Sequence, residues 1–279
     1  MAKKKNPDLK KVVDGSGYPL QMKIEDLAKS PGGRWTRGLN LSEVPWEDKE
    51  SGLSGFIDLV VGSGKVRLVI ECKRFEDSDW IFLIPSDSWG KNRSHTKLAW
   101  TYFSRSSGPA VIGWEDFNVE PQSHESSYCA GFEGQRISLE RVSFELVLAA
   151  EQFAKREISL FSQRHSYDAL FVYLPIIITS AKLYICKVDS NYISLKDGKL
   201  MQQTFNQVPY IRFRKSLTTR LTDDFSEFDI VAANRNQERT IMIVNSERVS
   251  EFFNSWEVNN EHYVSFLQQI KELRKQTII

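Results

Sequence analysis

Phe56-Ile57-Asp58-Leu59-Val60-Val61-Gly62-Ser63-Gly64-Lys65-Val66-Arg67-Leu68-Val69-Ile70-Glu71-Cys72-Lys73 reads as two β-rich runs around a turn. Gly62 to Lys65 supplies the backbone freedom that a tight hairpin needs. Folding the stretch so that Val61 faces Val66 sets Ile57 across from Ile70 and Asp58 across from Val69. Side chains alternate between the faces of a strand. One face then carries Ile57, Leu59, Val61, Val66, Leu68, Ile70 and Cys72, which suits burial. The other carries Phe56, Asp58, Val60, Arg67, Val69, Glu71 and Lys73.

Two carboxylates and an ammonium therefore share one face at the same end of the hairpin. In this register Asp58 and Glu71 are diagonal neighbours, with backbones ~7–8 Å apart. Oxygen donors at that spacing suit a hard cation, Mg²⁺ or Mn²⁺, completed by water and phosphate oxygens. Lys73, two residues past Glu71, brings a positive charge to where a phosphate would gain negative charge. Val60 and Val69 intersperse these charges, which fits a half-covered cleft better than an open solvated face. Arg67 and Arg74 are cations available for phosphate nearby. Cys72 falls on the apolar face, where a thiol behaves as a small hydrophobe, not a nucleophile. Gly62 to Lys65 lacks the spacing of a phosphate-binding loop, and a hairpin turn explains it.

Asp58, twelve intervening residues and then Glu71-Cys72-Lys73 resemble the Asp…Glu-x-Lys motif of the PD-(D/E)xK, or restriction-endonuclease-like, nucleases. The apolar flanks Phe-Ile-Asp-Leu-Val-Val and Leu-Val-Ile-Glu-Cys-Lys-Arg add to the likeness, which covers about Gly15 to Trp114. Ile57 stands where the family motif often has proline. The resemblance implies an Asp at the start of one strand of a central sheet, with Glu and Lys on its neighbour. It implies Mg²⁺- or Mn²⁺-dependent hydrolysis of a nucleic-acid phosphodiester, DNA before RNA, in restriction or defence against mobile elements. Members often add a Glu on a helix ahead of the Asp strand, and Glu25 fits that place as a further catalytic residue and metal ligand. Glu43 and Glu47 are its rivals in a less regular stretch. A non-cleaving nucleic-acid-binding or assembly module on the same fold is the alternative, though an intact Asp/Glu/Lys set counts against it.

The remaining chain reads as an α/β protein with a mixed central sheet flanked by helices. Residues 1–13 form a basic tail, 14–165 the nuclease-like core, and 166–279 a β-rich extension with C-terminal helices packed on the core. A helix is expected over Pro19–Lys29, with Pro19 at its first turn and Leu20, Ile24, Leu27 and Ala28 facing inward. Another runs from Leu139 to Phe161 with Ser138 as N-cap, and two more cover Glu247–Trp256 and Asn260–Gln276. Strands are expected at Asp79–Ile84, Lys97–Phe103, Ala110–Trp114, Ala169–Ile178, Lys182–Val188, Tyr210–Phe213 and Thr240–Val244, while Trp35–Trp46 is irregular or an edge strand and Glu47–Gly55 a loop.

With 41% hydrophobic and 12% aromatic residues, 279 residues can bury a substantial core. Lys3 to Lys5 lead into Asn6-Pro7-Asp8 with no apolar segment of a signal peptide. The longest apolar candidate, Ala169 to Val188, is interrupted by Pro175, Thr179, Ser180 and Lys182, so no membrane span is expected. Cys72, Cys129 and Cys186 lack zinc spacing and fit reduced thiols in a cytoplasmic protein. Net charge is only +1, but nine Lys/Arg against four Asp/Glu lie between Met1 and Arg37. No acid opposes Arg212, Arg214, Lys215 and Arg220 between Phe205 and Thr222. Arg212, Arg214 and Lys215, with Lys91, Arg93 and Lys97 of the basic run around His95, are the expected phosphate contacts. Trp89 and Trp100 are aromatic candidates for stacking on bases. A homo-oligomer or an activating protein partner is compatible with this reading.

Overall fold

Eleven consecutive residues, Ala169–Thr179, are all buried, and this strand is the spine of the protein. The structure, a computed structural model, describes residues 8–30, 33–75, 79–86, 94–105, 109–131, 139–217 and 235–277. In chain order the elements that matter are α1 (Leu9–Gly15), α2 (Tyr18–Lys29), β1 (Asn40–Asp48), β2 (Leu53–Ser63), β3 (Val66–Lys73) and β4 (Asp79–Pro85). They continue with β5 (His95–Phe103), β6 (Val111–Glu120), β7 (Glu125–Ser126), β8 (Tyr128–Gly131), α3 (Leu139–Arg164), β9 (Ala169–Thr179) and β10 (Lys182–Val188). β11 (Phe205–Val208), β12 (Tyr210–Ser216), β13 (Glu238–Asn245), α4 (Val249–Ser255), β14 (Glu257–Val258) and α5 (Asn260–Thr277) follow.

A strand buried on both faces must find partners for its backbone along both edges. On one edge β9 pairs in parallel with β3, from Val66↔Val172 to Lys73↔Thr179. On the other it pairs antiparallel with β5 up to Ala99↔Tyr173, then in parallel with β13 from Met242↔Ile176. Proline cannot donate to a ladder and is rare inside a sheet. Pro175 sits where β5 has ended and β13 has not begun, so its missing N–H costs no bond on that edge. Around this spine the main sheet runs β1-β2-β3-β9-β13-β12-β7, with β5, β6 and β14 branching from β9. A second sheet has the order β11-β10-β4-β8. The fold is thus α/β with a mixed central sheet flanked by helices. Because β3 and β9 share eight ladder positions, the chain on either side of residue 165 belongs to one sheet.

Two apolar layers cover the main sheet. On one face α3 lays Val142, Leu146, Ala150 and Phe153 against Val60, Val69, Tyr173 and Ile177, joined by Phe82 and Leu183 of the second sheet. On the other, Ile24 and Ala28 of α2, Phe252 and Phe253 of α4, and Phe266 and Ile270 of α5 cover Leu59, Leu68, Ile70 and Ile176. No helix among the described residues is long and apolar enough to cross a membrane.

Several expected boundaries shift. The described part of the N-terminal tail is the helix α1, because the Asp8 carboxylate accepts the Lys10 and Lys11 N–H groups as an N-cap. Of the two readings of Trp35–Trp46, the edge strand holds from Asn40 as β1, which runs on to Asp48 into the expected loop and pairs with β2 from Asn40↔Val61 to Asp48↔Leu53. Ser138 lies outside the described residues. The hairpin register also differs: Leu59 pairs with Ile70 and Ser63 with Val66, leaving the two-residue turn Gly64-Lys65 with Gly64 at φ 56°. That slip of two preserves each side chain's face. The ladder ends at Leu59↔Ile70, one position short of Asp58 and Glu71.

The approach to β1 is held by backbone contact, with the Gly62 N–H donating to the Leu39 carbonyl at 2.7 Å. A Cβ on Gly38 would collide with the Gly62 carbonyl oxygen, whereas one on helical Gly15 meets nothing within 4 Å. Gly38→Ala should therefore lower stability by about 1–3 kcal/mol through overpacking. Gly15→Ala should be neutral or raise it by about 0.5–1 kcal/mol. Urea midpoints of the two variants check the contrast, and equal midpoints would remove the close-approach argument.

Candidate active site

Regular alternation fails at one place in the hairpin. Ile57 packs in the α3 layer with Val60 and Val69, while Leu59, two residues on, packs in the opposite layer with Leu68 and Ile70. The expectation that Ile57 and Leu59 share a face is corrected by this break. Its cause lies in β1: Glu43, which the register sets across from Asp58, has φ 51°, a left-handed conformation uncommon outside glycine. The β1–β2 pairing skips this position, resuming at Val44↔Ile57. Both strands thus turn at the Glu43–Asp58 level.

Asp58 uses this break. The β2–β3 ladder stops at Leu59↔Ile70, and the Asp58 carboxylate (Oδ2) accepts the Cys72 N–H at 2.7 Å. A side chain stands where the next backbone carbonyl of β2 would have served, which fixes Asp58 in the fork between diverging strands. Glu71 faces it from β3, and Lys73 Nζ lies 2.5 Å from Glu71 Oε1. All three side chains are half-buried. Glu145 of α3 adds a fourth charge, acting on both Glu71 and Lys73. The cluster sits at the carboxyl end of β3, outside which open α/β sheets commonly bind ligands.

Carboxylates outnumber cations here, and the titration of the group reflects it. Burial and the neighbouring Asp58 charge push Glu71 up to about 7, against the pull of Lys73. Burial likewise raises Asp58, opposed by the Cys72 N–H and Lys73 and assisted by Glu43. Burial alone would lower Lys73, but Glu71, Asp58 and Glu145 hold it above its ordinary value. Burial raises the Cys72 thiol far above the ordinary range, which keeps it inert.

Glu25 does not join the cluster. It is bonded to Lys29 one turn along α2 and to Ser42, and the charges acting on Asp58 are Lys73 and Glu43. The resemblance pointed to Glu25 on this helix, but the helix sends Gln21 to the site. Buried Gln21 donates from Nε2 to Glu43 Oε1 at 2.5 Å and to the Asp58 carbonyl at 3.1 Å. Glu43 is the additional carboxylate beside Asp58. A three-stranded reading of residues 40–73 was the signal that could have placed it.

Four of the eight expected phosphate contacts are engaged within the protein. Arg67 is buried, bonded to Glu157 of α3 at 2.7 Å and stacked over Phe171. Arg212 is fully buried beside Glu125 and donates to the Ser123 carbonyl at 2.9 Å. Arg214 grips Asp116 at 2.7 and 3.1 Å and Glu238 at 2.7 Å, and Lys215 pairs with Glu140 at 2.9 Å. Lys97 is buried on β5. Strand pairing brings β7 and β13 beside β12, and Asp116 of β6 reaches Arg214, so acids far away in sequence neutralise a segment that has none of its own. Arg74 is half-buried just past Lys73. Lys91, Arg93 and Trp89 lie outside the described residues. Trp100 packs edge-on against Phe266 and is a core residue.

Compared with protein-family models, curated proteins and solved structures, the chain matches none in any of the three.

Among the described residues no three carboxylate, histidine or cysteine side chains are gathered closely enough to cage a metal alone. What the cleft offers is the facing pair Asp58 and Glu71. The excess of negative charge predicts a pH dependence. Folded Glu71 keeps its proton up to about pH 7, whereas the unfolded chain releases it near the ordinary 4.5. Between these values the folded state binds more protons, so stability falls as pH rises. In the presence of chelator, urea midpoints should decline between about pH 5 and pH 8, and Glu71→Gln should remove most of that decline. An undiminished decline in the variant would assign the titration to other groups.

Proposed function

We propose that the protein is a metal-dependent nuclease that hydrolyses nucleic-acid phosphodiester bonds, DNA before RNA. The observation that carries this reading is the Asp58 carboxylate held on the Cys72 N–H in the fork of β2 and β3, close enough to Glu71 to raise it, with Lys73 beside Glu71. The arrangement parallels what the PD-(D/E)xK resemblance implied: Asp on one strand, Glu and Lys on its neighbour in a mixed sheet.

The donor set suits Mg²⁺ or Mn²⁺. Mg²⁺ is commonly held by one or two carboxylates together with water and substrate phosphate, so a facing pair suffices. Unlike a closed structural site, such a pair leaves positions open to substrate. When bound, the ion supplies Lewis acidity and neutralises carboxylates that otherwise repel a polyanion. The chain's own residues do the rest. Asp58 is fixed by the Cys72 N–H and by the Gln21 bond to its backbone carbonyl, so its carboxylate needs little reorganisation to serve as a ligand. Glu71, whose proton is held by burial and by the Asp58 charge, would ionise as a ligand of the cation. Lys73, paired with Glu71 here, would then serve a phosphate that gains negative charge.

Lys73→Met keeps the stem and removes the ammonium, so folding and Mg²⁺ binding should survive while cleavage falls by ~10²-fold or more. Asp58→Asn should lose as much by weakening the cation, and excess Mn²⁺ should restore part of its activity but not that of Lys73→Met. Cleavage of linear, circular and single-stranded DNA and of RNA, with and without chelator, tests the reading. A wild-type chain that cuts none of them with Mg²⁺ or Mn²⁺ would leave a non-cleaving nucleic-acid-binding module as the better account.

A further inference from the structure

Beside the cluster, along α3, lie two hollows that share Trp46 in their walls. The nearer, of about 180 Å³, is floored by Glu71 and walled by Trp46, Phe56, Glu145 and Leu146. The farther, of about 350 Å³, shares Trp46 and is bordered by Lys155 and Arg156 of α3, with Glu47 the single acid on its wall. Trp46 is half-buried where they meet, and Phe56, two residues before Asp58, is 62% exposed at the mouth of the first. Arg156 reaches from α3 to β1 and spends one of its five N–H donors on the Pro45 carbonyl at 3.2 Å. Lys155 beside it is exposed.

Resting on the nuclease reading, we propose that this groove between α3 and the β1–β2 hairpin holds one unpaired nucleic-acid strand. A base lies against Phe56 and Trp46, and a neighbouring phosphate meets Lys155 and Arg156. Three observations point the same way. Aromatic side chains at a groove help only a strand whose bases are unstacked and accessible, since duplex bases hide their faces in the stack. The near hollow, at about 180 Å³, is of the order of one nucleobase. The cations lie ten and eleven residues along α3 from Glu145, about 15 Å at 1.5 Å per residue, a separation that a few nucleotides of strand can span. The charge therefore changes sign along the groove, from carboxylates that need a cation at the cleavage end to cations that need a phosphate at the other.

The test is anisotropy of short labelled single-stranded DNA and RNA and of the matching duplex, in chelator and in Ca²⁺, across a salt series. Single strands should bind more tightly than duplex. The exposed double variant Lys155→Glu/Arg156→Glu should weaken binding at least tenfold and flatten the salt slope by about 1.4, the value for two phosphate contacts on a single strand. Phe56→Ala, also at the surface, should weaken it by about tenfold with the slope unchanged. Both variants should melt like wild type. Duplex binding as tight as single-strand binding overturns the proposal, as does wild-type affinity in both variants or no binding by the wild type. The outcome is independent of cleavage: a chain that binds as expected yet never cuts defeats only the nuclease reading. One that cuts while the variants bind normally defeats only the groove.

Discussion

Ala169–Thr179 has no face to offer water, and this constraint arranges the protein around it. A strand buried on both sides has to pair its backbone along both edges and be roofed above and below. β3 supplies one edge, and its parallel direction demands a crossover, which α3 provides while covering one face. β5 and β13 divide the other edge, with Pro175 at the changeover. α2, α4 and α5 close the second face. Because β3, β9 and β13 run in parallel, their carboxyl ends come together, and Glu71 and Lys73 are carried to that rim.

At the rim the apolar logic of the sheet gives way to charge. Burying carboxylates near one another favours the neutral form of at least one, and the raised Glu71 and Asp58 show this competition. A single ammonium serves Asp58, Glu71 and Glu145, and Glu43 adds to the excess. Nothing in the core requires the excess, since the apolar layers pass beneath it. Glu43 compounds the cost by holding φ at 51°, stabilised by the buried amide of Gln21. Strain and unbalanced charge thus coincide at one place on the rim, and such outliers cluster where a fold does something other than pack.

The parts of this site that were legible in the sequence rest on period-two alternation. Glu71 and Lys73 keep the face that alternation assigns them even though the register was off by two, because an even slip leaves faces unchanged. The β-rich runs and the long helix were legible for the same kind of reason, each being periodic over many residues. What alternation could not show was its own failure at Asp58, where Ile57 and Leu59 part to opposite layers. That break originates in the conformation of Glu43, a residue with no sequence mark of a positive φ. Glu25 followed from the resemblance, which expects a Glu on a helix ahead of the Asp strand, but a motif cannot say which residue of a turn points at a neighbouring strand. Gln21 does.

Cations were the least legible feature, and the reason is physical. A run such as Arg212, Arg214 and Lys215 is counted as unopposed when only its chain neighbours are considered. Electrostatic partners, however, are neighbours in space, and β6, β7 and β13 bring Asp116, Glu125 and Glu238 to that strand. Once buried, an arginine has lost its hydration, and keeping its charge requires a partner held close. A cation buried with its acid is therefore poorly placed to meet a phosphate, however basic its segment reads. Lys155 and Arg156 differ because α3 turns them outward while the residues around them, Phe153, Ala154 and Ile158, face the sheet. In the linear sequence they are two more charges on a long amphipathic helix. Their meaning comes from what lies opposite, the tip of a hairpin carrying Trp46 and Phe56 and ending at the carboxylates.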